Sequence, residues 1–325
     1  MSFAARLTLS AILALLVCAT QLVRAAEYPS RPITLVVAFT PGGASDVLAR
    51  ILARRLEPIL GQPMVIENRP GAGGNLAADA VAHAEPDGYT LLNGNNAILA
   101  TNAALYKKIN FDPVADFAPI GLIGSQANIL VVNPALPVHS MAELIALAKA
   151  KPGKLNFASS GHGLAAHLAG ELFKVRAAID LVHVPYKGAA PALQDVIAGH
   201  VQMMFATASS VVSHIKQGAV RPIAVTTLKR TAVLPEIPTI DELGIAGFDA
   251  TTWHGLVAPA GTPAAVIVML NRALAATLAD SAVQTALADL GVDIMGGTPE
   301  EFAAYIQSEI PKWTAVIKAS GASLE

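Results

Sequence analysis

Short apolar runs alternate along the chain with segments whose apolar residues recur at helical spacing, a pattern that predicts α/β layering with mainly parallel sheets. The predicted strands are Ile33 to Ala38, Met64 to Glu67, Thr90 to Asn93, Leu130 to Val132, Leu155 to Ala158, Leu181 to Val184, Met203 to Phe205 and Ile223 to Val225. Stretches around Ile123 to Gln126 and Phe248 to Thr252 each separate one strand and helix series from another. They predict two chain crossings with a middle domain between them. The last part reads as helices over Ala264 to Ala279, Ser281 to Leu290 and Thr298 to Ser320. Thr298-Pro299-Glu300-Glu301 predicts a capping box at the start of the last one. Trp313 and Ile317, four apart on that helix, are expected to pack on the first domain.

The most informative junction is Phe39-Thr40-Pro41-Gly42-Gly43-Ala44-Ser45-Asp46, where a buried strand empties into a helix beginning near Ser45. A helix start offers unpaired N–H groups and the positive end of the macrodipole, and glycines let a carboxylate or phosphate approach them. Asp46 would repel such an anion, so it is expected to pair with the first turn's dipole or to meet the ammonium of a zwitterionic ligand.

A second junction of the same kind follows the strand at Leu155: Ser159-Ser160-Gly161-His162-Gly163, then a helix carrying Leu164, Leu168 and Leu172. Two such turns facing each other would form a cleft for one anion. An ordinary serine N-cap explains one of these serines but not the cluster. Val184 to Pro191, with Tyr186 and Lys187, and Phe205 to Ser210, with Thr207, are further strand ends able to reach a cleft. Capping by Ser209 or Ser210 competes with ligand contact by Thr207.

Composition narrows the chemistry. Arg6, the apolar stretch Leu7 to Val17 and the small residues near Ala25-Ala26 read as a cleaved signal peptide over 1–26, which places the remainder in the periplasm. Cys18, the single cysteine, falls inside that segment and follows Val17, where lipid attachment needs a small residue. Export therefore leaves no thiol for disulfides, nucleophiles or metal ligation. It also removes Arg6 and Arg24, leaving 20 basic against 24 acidic residues, a formal charge of −4. Such a chain offers no basic face for nucleic acid, and general electrostatic capture of an anion is equally unsupported.

Several specific chemistries fail on spacing. A hydrolase elbow needs glycine two residues either side of Ser160, where Ala158 and His162 stand. His162 and His167 are five apart, a poor spacing for a shared metal, so neither metal nor cofactor is expected. Gly71 and Gly73 suggest a dinucleotide fingerprint, but the third position is Leu76, and the run reads as a loop at the cleft rim. No paired acid and base appears, so no enzyme activity is expected.

FTPGGASD, ENRPGAGGN, DGYTLL, ALYKKINFDPVADFAPI, HLAGELF, VHVPYKGAAPALQDVIAGHV and FDATTWHGLVAPAGTP together resemble one family over essentially the whole mature chain. The chain resembles the Bug-type solute receptors of the tripartite tricarboxylate transporter system. The resemblance implies an α/β two-domain architecture of the periplasmic-binding-protein type II, or Venus-flytrap, kind. Each domain would hold a mainly parallel sheet flanked by helices, with the ligand cleft between them. The corresponding division is 27–125 plus 252–325 for domain 1 and 126–251 for domain 2.

The resemblance further implies a monomer that binds a small carboxylate (a di- or tricarboxylate, an acidic amino acid or an aromatic acid) through backbone turns and bridging waters. Its partner would be the membrane permease subunits of a transporter, or a sensor kinase in a signalling variant. Position by position, the implied contacts are Phe39, Thr40, Pro41, Gly42, Gly43 and Asp46 in one turn and Ser159, Ser160 and Gly161 in the other. Ser45, His162, Tyr186 and Thr207 complete the expected site from the residue reading. Ala206 stands where members commonly carry an acid, so ligand identity cannot be carried over.

Overall fold

The computed structural model describes residues 28–186 and 188–324. The expected signal peptide and Lys187 lie outside the described residues. Among the described residues, eleven strands form two sheets. The strands are β1 (Ile33–Val37), β2 (Met64–Asn68), β3 (Thr90–Asn95), β4 (Phe117–Gln126), β5 (Asn128–Val132), β6 (Asn156–Ser159), β7 (Val182–Pro185), β8 (Met203–Thr207), β9 (Arg221–Val225), β10 (Thr252–Pro259) and β11 (Val292–Ile294).

The six-stranded sheet runs β11-β4-β10-β3-β1-β2 and the five-stranded sheet β7-β6-β8-β5-β9. Both are mixed rather than mainly parallel. β1 pairs parallel with β2 and β3, and β6 with β7 and β8. β10 runs antiparallel to β3 and β4, and β5 antiparallel to β8 and β9. The reason lies in the crossings. β4 leads out of the first sheet and β10 leads back into it, so the two must run in opposite directions side by side. Apolar periodicity marks a strand but carries no direction.

The central strands of these sheets are buried on both faces, which is why they read as continuous apolar runs. In β1, Ile33, Leu35 and Val37 enter one core cluster while Val36 enters another. In β5, Leu130 and Val132 face one cluster and Ile129 and Val131 another. The helix after β1, Ala44–Leu60, buries Leu48, Ala49, Leu52, Ala53, Leu56 and Leu60 along one stripe. It ends at Gly61, whose left-handed φ of 70° allows its N–H to return to the Glu57 carbonyl.

The stretch expected as a rim loop is instead a 3₁₀ turn, Ala72–Gly74, leading into the helix Asn75–Ala82. Gly74 is its N-cap, and Asn75 is already helical, its Oδ1 accepting from Asn102 at 2.6 Å. The capping box forms as the residue pattern predicts: the Glu301 N–H donates to Thr298, and the Thr298 N–H donates to Glu301.

The last helix, Pro299–Ser320, packs against β4 of the first sheet and also against the helix Ala165–Ala177 beside the second. The helix thus packs on the first sheet as expected and also reaches the second. Trp313 is fully buried, and its indole N–H shares the Glu309 carboxylate with that of Trp253 on β10, at 2.9 and 3.0 Å. These bonds fasten the chain's end to a crossing strand.

Candidate functional site

A cavity of about 430 Å³ lies where the two sheets meet. Phe39, Thr40, Gly43 and Ser45 enter it after β1, and Asn95 and Asn96 at the end of β3. The crossing strands supply Gln126, Thr252 and His254, while Ser160, Gly188 and Met204 to Thr207 come from the five-stranded side.

The first turn is shaped by Gly42, whose φ of 81° suits glycine, and by Asp46 behind it. The Gly42 N–H and the Arg50 guanidinium both donate to Asp46 Oδ2 at 2.9 Å. Asn68 donates to Asp46 Oδ1 at 2.9 Å and to the Phe39 carbonyl at 3.0 Å. The Arg50 hydrogen bond, followed by those from Gly42 and Asn68, overcomes burial and lowers the Asp46 carboxyl to about 2. Asp46 is thus a brace whose lone pairs are committed. Asn93 completes the support by donating to the Ser45 carbonyl at 3.0 Å.

The second turn is braced differently. Ser159 is fully buried and bonds to His183 Nε2 at 2.7 Å and to the Gly161 carbonyl at 3.1 Å. The Gly163 N–H donates to His167 Nδ1 at 3.0 Å, with Gly163 at a left-handed φ of 74°. A Cβ at Gly163 would stand 2.2 Å from Leu105 Cδ2, so only glycine permits this approach to the first sheet's helices. Burial, with added repulsion from neighbouring cationic groups, lowers His167 to about 4 and His183 to about 3. Both imidazoles are neutral at pH 7.

Spacing along the chain considered only His162 and His167, and the fold adds His183 from β7. Ligating atoms of all three lie within 4.8 Å of one another. Two of the three already brace the turn, His183 through Ser159 and His167 through Gly163. His167 Nδ1 already accepts a hydrogen bond, and the His167 and His183 rings stack at 3.9 Å, so their in-plane lone pairs lie in nearly parallel planes.

Of the residues nominated from sequence, Phe39, Thr40, Gly43, Ser45, Ser160 and Thr207 line the cavity. Pro41, Gly42, Asp46, Ser159, Gly161, His162 and Tyr186 stand outside its wall. Gly42, Asp46, Ser159 and Gly161 are engaged within the turns themselves. Tyr186 turns away to donate to Asp195, and exposed His162 lines a separate cavity near the chain's end. Thr207 Oγ1 lies 3.1 Å from Ser210 Oγ and Ser210 donates to the Thr207 carbonyl, but no side chain accepts from the first helical N–H groups, so the expected capping by Ser209 or Ser210 does not form and Thr207 remains at the cavity wall.

Sequence reasoning missed Asn95, Asn96, Gln126, Thr252 and His254. The signal available was polar residues inside otherwise apolar crossing stretches.

Four helices begin at the cavity, with Gly43, Leu164, Gly188 and Thr207 as N-cap residues, and none of the four has a side-chain cap. Elsewhere Ser140, Asp280 and Thr298 cap their helices, while the helices that follow Gly74 and Pro263 also lack a side-chain cap. Uncapped first turns leave N–H groups and positive dipole ends directed at the space between them. Among the described residues, no Asp, Glu, Lys or Arg lines the cavity. His254, fully enclosed, is lowered by burial to about 4 and is neutral at pH 7. The site therefore presents dipoles without formal charge.

This geometry defines a solute-binding α/β protein, and comparison with known proteins agrees. The family model for the tripartite tricarboxylate transporter family receptor matches residues 48–322. Protein BugT of Bordetella pertussis is 40% identical over 304 residues, covering 93% of each chain. The solved structure of R. palustris Rpa4515 with adipate superimposes with a TM-score of 0.82 at 39% identity, covering 92% of this chain and all of that one. The periplasmic binding protein BugD gives a TM-score of 0.79 at 36% identity, again over 92% of this chain and all of its own. The chain belongs to the tripartite tricarboxylate transporter receptor family.

Proposed function

We propose that this protein is a periplasmic receptor that captures a small carboxylate in the 430 Å³ cavity and hands it to membrane permease subunits of a tripartite transporter. The observation that carries the reading is the convergence of four uncapped helix starts on a cavity without formal charge. The carboxylate sits on the amides of the first turn, around Gly43 and Ser45, and on Ser160 from the second turn. Hydrogen bonds to charged groups contribute about 1.5–3 kcal/mol each. Four or five of them therefore exceed the roughly 8 kcal/mol of micromolar binding before association costs are subtracted.

The bodies that carry the two turns are 27–125 with 252–325, and 126–251. Donors from both bodies act on one head group, so ligand favours the state in which they approach, and that state is the one a permease reads. Membership of the receptor family, and likeness to a solved structure that holds adipate, support this non-enzymatic role. The monomer is the functional unit.

The test is a thermal-shift panel of mono-, di- and tricarboxylates, acidic amino acids and aromatic acids. A shift with at least one carboxylate is expected, and uniform silence across the panel overturns the reading. Co-purification with permease subunits tests delivery, and recovery of a ligand-dependent sensor kinase complex instead would replace transport by signalling.

A further inference from the structure

Several residues that line the cavity carry buried polar atoms that no described residue satisfies. Asn96 Nδ2, Gln126 Oε1, Thr252 Oγ1 and His254 Nδ1 are buried, belong to cavity-lining residues and have no hydrogen-bond partner. Three of them share one face of the crossing strands. Gln126 and Thr252 stand directly opposite in the β4–β10 pairing, and His254 lies two residues beyond Thr252 on β10. The Gln126 amide is oriented by its own bond, since Nε2 donates to the Leu290 carbonyl at 2.8 Å. Its oxygen is therefore the atom left over.

Buried polar atoms without partners are rare in native proteins and call for an occupant. The complement is set by what the four atoms can do. Gln126 Oε1 only accepts, Asn96 Nδ2 only donates, the Thr252 hydroxyl does both, and a neutral imidazole nitrogen does one or the other. The occupant must both donate and accept, and among the described residues the wall offers no charged side chain to pair with a charged group. An ammonium group would need a carboxylate, and Asp46 is already committed to Arg50, Gly42 and Asn68. A second carboxylate has no proton for Gln126 Oε1, and among the described residues no cation lines the cavity to meet it. A hydroxyl fits. Phe39, Leu164, Met204, Phe205 and Ala206 supply apolar wall for the carbon skeleton.

We infer that the cavity selects a hydroxylated monocarboxylate, whose hydroxyl is received by Gln126, Thr252 and His254 while its carboxylate occupies the helix starts. The inference rests on the receptor reading and narrows it to one ligand class.

Isothermal titration of the purified protein with matched acids tests it. The four-carbon series is 3-hydroxybutyrate and 4-hydroxybutyrate against butyrate and succinate; the six-carbon series is 6-hydroxyhexanoate against hexanoate and adipate. In at least one series the hydroxy acid is expected to bind about ten-fold or more tighter than both matched acids, because a site with unpaired polar groups rejects analogues lacking the hydroxyl. In Gln126→Leu, and in the near-isosteric Thr252→Val, the ratio of hydroxylated to unsubstituted acid should fall to about one. A dicarboxylate binding tightest, or variants that weaken every acid by the same factor, overturns the hydroxyl assignment and leaves the receptor reading standing. No preference for the hydroxyl also overturns it, and assigns these polar atoms to bound water. Failure of every acid to bind overturns the receptor reading itself.

Discussion

The two turns that face the cavity have similar sequences of small residues and are held in place by different chemistry. The turn at 39–46 is locked by an ionised carboxylate that draws in a guanidinium, an amide and a backbone N–H. The turn at 159–163 rests on neutral imidazoles, His183 against Ser159 and His167 against Gly163. A glycine-rich turn has little shape of its own, so each needs an outside brace. The difference predicts that one half-site is insensitive to mild acid and the other is not.

The strongest challenge to the comparison is Gly43→Val. A Cβ there stands 3.3 Å from the Thr40 carbonyl, and the branched side chain covers the helix start. Loss of two charge-assisted bonds lowers affinity by about 100-fold, whereas Ser160→Ala on the other turn costs about ten-fold. Calorimetric titration of both variants, with the unliganded proteins still folded by circular dichroism, checks the order. Equal losses would make the two turns equivalent in binding.

Asp46→Ala removes the first brace. It leaves the Gly42 N–H and the Asn68 amide without their acceptor and should cost about 2 kcal/mol of stability in urea unfolding. An unchanged midpoint would show that the first turn holds its shape unaided.

Acid separates the braces. His167 and His183 have folded values of about 4 and 3, below the ordinary 6.5, so their neutral forms are favoured by folding. Their contribution is complete above pH 6.5 and is lost progressively as pH falls towards those folded values. Asp46, lowered from 3.8 to about 2, keeps its contribution until pH falls below 3.8. Melting temperature should therefore decline between pH 6.5 and 4, and His183→Gln should flatten that slope. His167 and His254, both lowered to about 4, supply the slope that the variant retains. An identical slope in wild type and variant would remove the histidines from the second brace. The smallest effect is Ser159→Ala, about 1 kcal/mol in the same unfolding assay, since it deletes a neutral hydrogen bond.

Both turns were legible in the sequence because their signals are contiguous: an apolar run, a cluster of small residues, then helical spacing. The capping box was legible for the same reason. What Asp46 does was only half legible. Its place in the first turn suggested dipole pairing, but Arg50 and Asn68 became its partners only when the helix and β2 folded beside it. Ser159 looked like an exposed hydroxyl donor until β7 brought His183 against it. Tyr186 stands next to a turn in sequence, yet its hydroxyl reaches Asp195 on the following helix. Strand direction was illegible, and the sheets came out mixed because the chain crosses between them twice.

By itself the sequence determined where strands and helices lie and that two strand ends empty through clusters of small residues into helix starts. Those properties follow from neighbouring residues through sterics and periodicity. Only the tertiary structure decided which hydroxyls and amides reach the cavity and which are spent on bracing its turns. It alone set Gln126, Thr252 and His254 on one buried face. The physical reason is that a polar side chain's role depends on the partners it meets, and here those partners arrive from as far apart as β4 and the segment before β11.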